Sequence, residues 1–482
     1  VLPRPGHAIA LCALALLMLG VVMVNSAGMS VDPRAPVTFE TILTSQSTIY
    51  MVLAVLALII AAATPVWRLI PGMPRGSGAE GGTGLPGRPA LSGGGRGEGG
   101  WRLWPMWLSV LALGAVLATV YVPGLGHEVN GSHRWLRINI GTQRLSVQPS
   151  EIAKWGMIFV LAWACWRLGD GLRSFTRGLL PVLVAVGAVA GFIVIEDLGT
   201  GVLVAMVGGC MLLAGGARWW HFALMIPPAL AAFAFAVLKS PYRLERIQTF
   251  LDPYRDPQGA GYHMIQSMVA IANGGGAGRG LGHGLQKMGY LPEDQTDFLF
   301  SIINEELGIP GAALVVGLYV GILWAGYLIL RAQSHPVPRL LTLGIITTVG
   351  LQAIVNIAVV TGVGPTKGIA LPLLSSGGTG WILTTFCLGL LVALDRESAW
   401  AEEESRPAVL DGGGPRLDAI GRGTAGVDGM SVCAVGAGVM STMSGRDSSA
   451  GSGVGGPAPV DVKIMPAARA MGALPAPDTA RA

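Results

Sequence analysis

The chain has 482 residues, 51% of them hydrophobic and only 12% charged, with a mean hydropathy of +0.57. A soluble domain has about 25% charged residues, so a soluble fold is excluded. The formal net charge of +4 is small and Lys and Arg are not massed in blocks, which argues against a nucleic-acid partner. Cys12, Cys165, Cys210 and Cys387 fall in apolar runs and Cys433 in a Gly-rich tail, giving neither a disulfide framework nor zinc-ligand spacing.

A bilayer core needs about 20 mostly apolar residues per helix. Roughly ten such stretches follow one another, near 8–25, 48–65, 104–122, 152–169, 178–196, 198–216, 219–238, 298–330, 340–361 and 379–395. The fold class expected is therefore an all-α polytopic membrane protein. The first stretch ends in the small residues Asn25-Ser26-Ala27-Gly28, as a signal peptide does, but is read as an uncleaved span that sets topology.

Short loops rich in Lys and Arg favour the cytoplasm. Arg68, Arg75, Arg88, Arg96, Arg102, Arg167, Arg173, Arg177, Arg218, Arg331, Arg339 and Arg396 all fall on one side if both termini are cytoplasmic. Segments 123–151, 239–297 and 362–378 then face outward, the largest of them between spans seven and eight. They carry Arg134, Arg137, Lys239, Arg243, Arg246, Arg255, Lys287 and Lys367 against the usual bias. Outward cations in that number point to an anionic ligand.

Residues 72–100 and about 400–482 are rich in Gly, Ala, Pro and Ser with few aromatics, so they bury too little apolar surface to offset ordering entropy. The expected organisation is a transmembrane domain over 1–396 with a disordered cytoplasmic insertion at 72–100, a large periplasmic loop at 239–297 and a disordered tail at 397–482. No solenoid-like repeat is visible, nor the matched halves that many transporters show.

The outer segment 240–308 mixes Asp-Pro turns, a glycine run at 274–284 and several carboxylates that lead straight into an apolar helix. Loops of this length in a compact protein are usually functional. Its stretches SPYRLERIQTFLDP, DPQGAGYHMIQS, YLPEDQTDFLF and EELGIPG resemble the signature of the SEDS family, the shape, elongation, division and sporulation proteins. Upstream, NGSHRWLRI (130–138), QPSEIAK (148–154) and EDLGTG (196–201) resemble further family blocks, and downstream so does GPTKGIALPLLSSGG (364–378). The PTKG form at 365–368 favours the cell-division branch. The resemblance implies a peptidoglycan glycosyltransferase that polymerises lipid II, the lipid-linked precursor, by inverting transfer during septal cell-wall synthesis. It also implies the bacterial inner membrane at the division septum and a periplasmic active site.

The chemistry can be argued beside the resemblance. A polyprenyl diphosphate is already a good leaving group, so one carboxylate base should suffice to take the proton from the acceptor hydroxyl. Asp297 sits where the outer loop enters span eight, and it matches the family's catalytic Asp in the TDF block. A helix cap is the competing reading of the same residue. Charge on the departing diphosphate calls for cations, for which Arg134, Arg243, Arg246, Lys287 and Lys367 are the candidates. With Glu293 they make the expected substrate-binding set. A divalent ion, magnesium or manganese, is a candidate to share the load with Asp297 or Glu293, although no metal motif is present.

Intramembrane charge is costly and by default functional. Glu151 and Lys154 lie three apart on one face of span four, and Glu305 and Glu306 lie about two turns into span eight. The expectation is a buried Glu-to-Lys pairing between spans that fixes the cavity. Trp135, Tyr242 and Tyr290 suit either an interfacial belt or sugar stacking. Two other functions compete: a lipid II transporter (flippase) and a non-enzymatic division scaffold. The resemblance further implies a class B penicillin-binding protein, the septal transpeptidase, as partner, alongside other divisome proteins. Small residues at Gly311, Ala312, Ala313, Gly317, Gly321, Gly344 and Gly350 offer a face for it.

Overall fold

The computed structural model describes residues 4–28, 45–69, 103–123, 126–129, 132–140, 143–259, 261–292, 295–365, 368–376 and 378–405. Each of the ten apolar stretches is a helix: α1 (Pro5–Ala27), α2 (Gln46–Ala63), α3 (Trp104–Ala118), α4 (Pro149–Leu168), α5 (Leu180–Glu196), α6 (Leu198–Ala214), α7 (Trp219–Leu238), α10 (Leu299–Ala332), α11 (Pro336–Val360) and α12 (Thr379–Ser405). The outer loop adds two more, α8 (Pro241–Leu251) and α9 (Tyr262–Gly274). Among the described residues seven helices, α1, α2, α3, α5, α10, α11 and α12, are long and apolar enough to cross a bilayer. Of the others, α4 opens with Glu151 and Lys154, α6 has only 17 residues, and α7 contains Pro227 and Pro228. The expected insertion at 72–100 lies outside the described residues, as does the tail beyond Ser405. α12 continues past residue 396, where the transmembrane domain was expected to end: Glu397 Oε1 accepts the Val66 amide at 2.7 Å and Ser398 Oγ donates to the Leu394 carbonyl.

In lipid, helices are held by close packing rather than by apolar burial, so small residues mark the contacts. α2 runs along α12 and α1 along α10. A side chain at Gly389 would stand 2.5 Å from the Leu58 carbonyl, and one at Gly20 would stand 2.8 Å from the Leu374 carbonyl. The glycines expected to form a partner face are mostly used inside the chain. Gly321 meets Cys12 of α1, Gly344 meets Ile158 and Met211, and Gly350 meets Leu323, whereas Gly317 faces open space.

The segment between α3 and α4 forms a three-stranded antiparallel sheet that the helical reading did not anticipate: β1 (Gly126–Val129), β2 (Ser132–Ile140) and β3 (Gln143–Val147), in that spatial order. Leu136 pairs with both Gly126 and Val147, and a bulge interrupts β1 at His127/Glu128. The sheet is fastened to the bundle end through Ser146, whose amide donates to the Tyr50 hydroxyl at 2.9 Å and whose carbonyl accepts from Thr379 Oγ1 at 2.9 Å.

α10 is broken where Gly308 takes φ 64°, ψ −156°, two residues before Pro310. Proline has no amide to give to the Glu306 carbonyl. That carbonyl instead accepts from the Gly280 amide at 2.9 Å, and the Glu305 carbonyl accepts from Arg279 at 2.9 Å. The break thus stitches the glycine run of the outer loop to the helix. Positive φ at Gly278 (78°) and Gly308 (64°) is what lets the two backbones meet.

The same break buries the second pair of glutamates. Lys287 Nζ donates to Glu306 Oε1 at 2.7 Å and to Ser26 Oγ at 3.0 Å, and Gly282 donates its amide to Glu306 Oε2 at 3.0 Å. Glu305 accepts the amides of Leu285 at 3.0 Å and Gln286 at 3.1 Å. Both side chains of the Lys287–Glu306 pair have zero solvent exposure. Lys287 is therefore corrected from a substrate contact to half of a buried ion pair. Glu305 and Glu306 fix the loop to α10 and α1 rather than lining a cavity.

Candidate functional site

A cavity of about 450 Å³ opens at the end of the bundle that carries the sheet and the outer loop, a size suited to a small-molecule ligand. β2 supplies Arg134 and Trp135, α4 supplies Glu151, the α5–α6 junction supplies Glu196 and Asp197, and α8 supplies Arg246. Thr296 and Asp297, Gln352 of α11 and the loop from Gly368 to Ser376 add to the wall, with Phe233 of α7 and Trp381 of α12. Segments far apart in the chain thus meet around one space.

Asp297 lies immediately before α10 and lines the cavity. The cap position of α10 is Phe298, with no side-chain cap, so the capping reading of Asp297 does not hold. Its backbone is fixed from α11: Asn356 Nδ2 donates to the Asp297 carbonyl at 2.9 Å and to the Ile369 carbonyl at 2.7 Å. One amide therefore holds Asp297 and the opposite loop together. Gly368 is close enough that a side chain there would come 2.8 Å from Asp297 Oδ2.

The loop facing Asp297 is itself well tied. Ser375 Oγ accepts the Leu371 amide at 3.0 Å, Trp381 Nε1 donates to the Ser375 carbonyl at 2.7 Å, and the Tyr319 hydroxyl donates to the Pro372 carbonyl. Leu373 adopts φ 63°, the left-handed region. A branched side chain there costs about 1–3 kcal/mol and persists only where the surroundings enforce it.

Of the expected cations, Arg134 and Arg246 reach the cavity. Arg134 Nε is buried and has no partner among the described residues, so the cavity holds a donor that a ligand could meet. Arg243 lies on α8, but its side chain, like that of Tyr242, is outside the described residues. Glu293 and Lys367 also lie outside them. Trp135 lines the cavity, whereas Tyr290 is exposed.

The ion pair expected between spans is instead local. Lys154 Nζ binds Glu151 Oε1 at 2.7 Å within α4. The link between helices is made by an amide: Lys154 also donates to Gln352 Oε1 at 3.0 Å, and Gln352 Nε2 donates to the Ala370 carbonyl at 2.9 Å. This chain runs from α4 through α11 to the loop, with Glu151 facing the cavity. Asp197, buried at the α5–α6 junction, caps α6 through Thr200 at 3.1 Å and 2.7 Å, and Glu196 accepts the Tyr121 hydroxyl at 2.8 Å. Among the described residues no three His, Cys, Asp or Glu side chains gather as a metal-binding group.

Gln352 and Asn356 were not singled out from the sequence. The signal for them is two amides four residues apart on one face of an otherwise apolar helix, where each must find a partner.

Comparison with known proteins agrees with this architecture. Residues 99–399 match the family described as cell cycle protein, which groups FtsW, RodA and SpoVE. The chain is 40% identical over 305 residues to stage V sporulation protein E of Bacillus subtilis, covering 62% of this chain and 81% of that one. It is 37% identical over 295 residues to a protein of Geobacter sulfurreducens named "Probable peptidoglycan glycosyltransferase FtsW", covering 61% and 78%. Among solved structures it resembles a chain of a peptidoglycan synthase complex that coordinates polymerization and crosslinking, with a TM-score of 0.59 and 26% identity over 81% of this chain and 97% of the other.

Proposed function

The chain belongs to the FtsW, RodA and SpoVE family of cell cycle proteins, and from that premise we propose that it is a peptidoglycan glycosyltransferase that polymerises lipid II during septal wall synthesis. The observation that carries the reading is the meeting of Asp297 with Arg134, whose buried Nε has no partner among the described residues, in one cavity at the loop-bearing end. A carboxylate that shares a cavity with a guanidinium whose Nε is unpaired suits a reaction that takes a proton at one point and releases a diphosphate at another.

In this mechanism Asp297 accepts the proton of the acceptor sugar hydroxyl. That oxygen attacks the anomeric carbon of the donor sugar from the face opposite the leaving group, so the carbon inverts. The bond to the polyprenyl diphosphate breaks, and Arg134 and Arg246 stabilise the charge that leaves on it. Asn356 holds Asp297 at its backbone, and the Glu151–Lys154–Gln352 chain holds the opposite loop. Arg243, Lys367 and Glu293 remain candidates for further contacts. Magnesium or manganese, if bound beside Asp297 or Glu293, would add charge for the diphosphate.

Polar lining gathered at one end of the helices suits an enzyme that works on one membrane face better than a carrier needing access from both. With both termini cytoplasmic, that face is periplasmic. The resemblance to a synthase complex supports a class B transpeptidase partner, and the open face of α10 around Gly317 is the part of the small-residue face left for it. The test is to give the purified protein, with and without such a transpeptidase, lipid-linked disaccharide and to size the products. Polymeric glycan is expected. Translocation of the precursor across vesicles without any polymer would replace the enzyme by a transporter.

A further inference from the structure

The opposite end of the same helices carries a second concentration of positive charge that the cavity does not use. α4 begins at the cavity with Glu151 and ends at Leu168, and α5 returns to the cavity at Glu196, so the connection between them lies at the far end. It is made of a 3-10 turn, Gly169–Arg173, followed by a π turn, Phe175–Leu179. A side chain at Gly215 would stand 2.9 Å from Cys165 Sγ, which sets the end of α6 on the end of α4. Phe175 lies 5.3 Å from the ring of His221 on α7, and His221 is packed 3.9 Å from Trp220. These contacts bring together, at that end, the segments that carry Arg167, Arg173, Arg177 and Arg218.

Among the described residues Arg173 has only an exposed Asp170 at 3.5 Å, the kind of surface pair that contributes little. Arg167, Arg177 and Arg218 have no hydrogen-bond or ion-pair partner among the described residues. Arg218 is also the cap residue of α7 and no side chain caps that helix, so the first amides of a 20-residue helix point out beside the arginines. Trp219 and Trp220 are 75% and 46% exposed next to them, and exposed tryptophan at a helix end marks the headgroup level of a bilayer. Guanidinium groups, open helix amides and indoles at the headgroup level are together the chemistry that recognises a phosphate carried by a lipid.

We propose that the cluster of Arg167, Arg173, Arg177 and Arg218 at the start of α7 binds the headgroup of an anionic phospholipid. The site is built from the α4–α5 connection and the α6–α7 turn, so a lipid bound there links two helix pairs at the end remote from the cavity.

The test uses the full chain, delipidated and offered phosphatidylglycerol or phosphatidylcholine in mixed nanodiscs, with retained lipid counted by native mass spectrometry. The wild type should prefer phosphatidylglycerol. The Arg167→Gln, Arg177→Gln, Arg218→Gln variant should weaken retention of phosphatidylglycerol by about a hundredfold, from about fivefold per arginine. Arg339→Gln, in the first turn of α11 on the same side, should leave it unchanged. Should the triple variant fail to fold, Arg177→Gln and Arg218→Gln singly, checked for wild-type melting, should each lower the preference by about fivefold. Equal preference in wild type and variants, or an equal loss in Arg339→Gln, overturns the proposal. Displacement of the lipid by millimolar inorganic phosphate would assign the site to a soluble anion and also overturns it.

Discussion

Asp297 and the pair Glu305–Glu306 lie on one short stretch of chain, yet the protein treats them oppositely. The carboxylates of Glu305 and Glu306 are fully enclosed and met by loop amides, by Ser26 and by Lys287. Asp297 faces a cavity that also holds Arg134 with an unanswered Nε. A saturated buried charge is a structural fixture, because losing one partner strands the other; a carboxylate that lines a cavity together with an unpaired donor is placed to meet a ligand. The difference arises at Gly308 and Pro310, where the break in α10 lets the loop close over the glutamates and leaves the residues before Phe298 at the cavity rim.

The comparison can be broken most severely at Asp297. Asp297→Ala should lower glycan synthesis by roughly 10²–10⁴-fold, the usual weight of a positioned acid or base, with yield and melting temperature of the purified protein unchanged. Lys287→Met should do the reverse in kind: leaving Glu306 charged and buried should cost about 3–5 kcal/mol of stability, read as lowered melting and yield. Adding Glu306→Gln should recover part of that loss, and a double variant as unstable as the single one would remove the ion pair from the account.

Smaller effects sharpen the cavity side. Arg134→Gln should reduce turnover by about 10–100-fold, the value of a charge-assisted hydrogen bond, while melting stays at the wild-type value; an unchanged rate would take Arg134 away from the diphosphate. Gly368→Ala places a methyl group 2.8 Å from Asp297 Oδ2 and should lower activity about 10-fold by displacing the carboxylate, again without a change in melting. Removal of 72–100 or of 410–482 should change the rate in detergent by less than about twofold, since segments of that composition build no part of a packed site.

The helices were legible because apolar runs of bilayer length can do little else, and each of the ten read from the sequence is present. The sheet was not, since strands of four, nine and five residues with polar side chains carry only a weak alternation signal. Asp297 could be found from its place at a loop-helix junction together with the family block around it. Lys287 was misread for a physical reason: charge in a loop suggests solvent, and only the break in α10 shows that this loop folds over two glutamates. Asn356 and Gln352 escaped notice because an amide in an apolar helix has no fixed meaning until its partners are known, here the carbonyls of Asp297, Ile369 and Ala370.

The central claim, that Asp297 acts on a proton rather than on structure or binding, is tested most directly by measuring binding and turnover on one variant. Asp297→Asn keeps the shape and removes the base. The account predicts that the purified variant retains lipid-linked disaccharide with close to wild-type affinity and forms no glycan from it, in the presence of the transpeptidase as well as without it. Glycan formed at the wild-type rate by Asp297→Asn would contradict it.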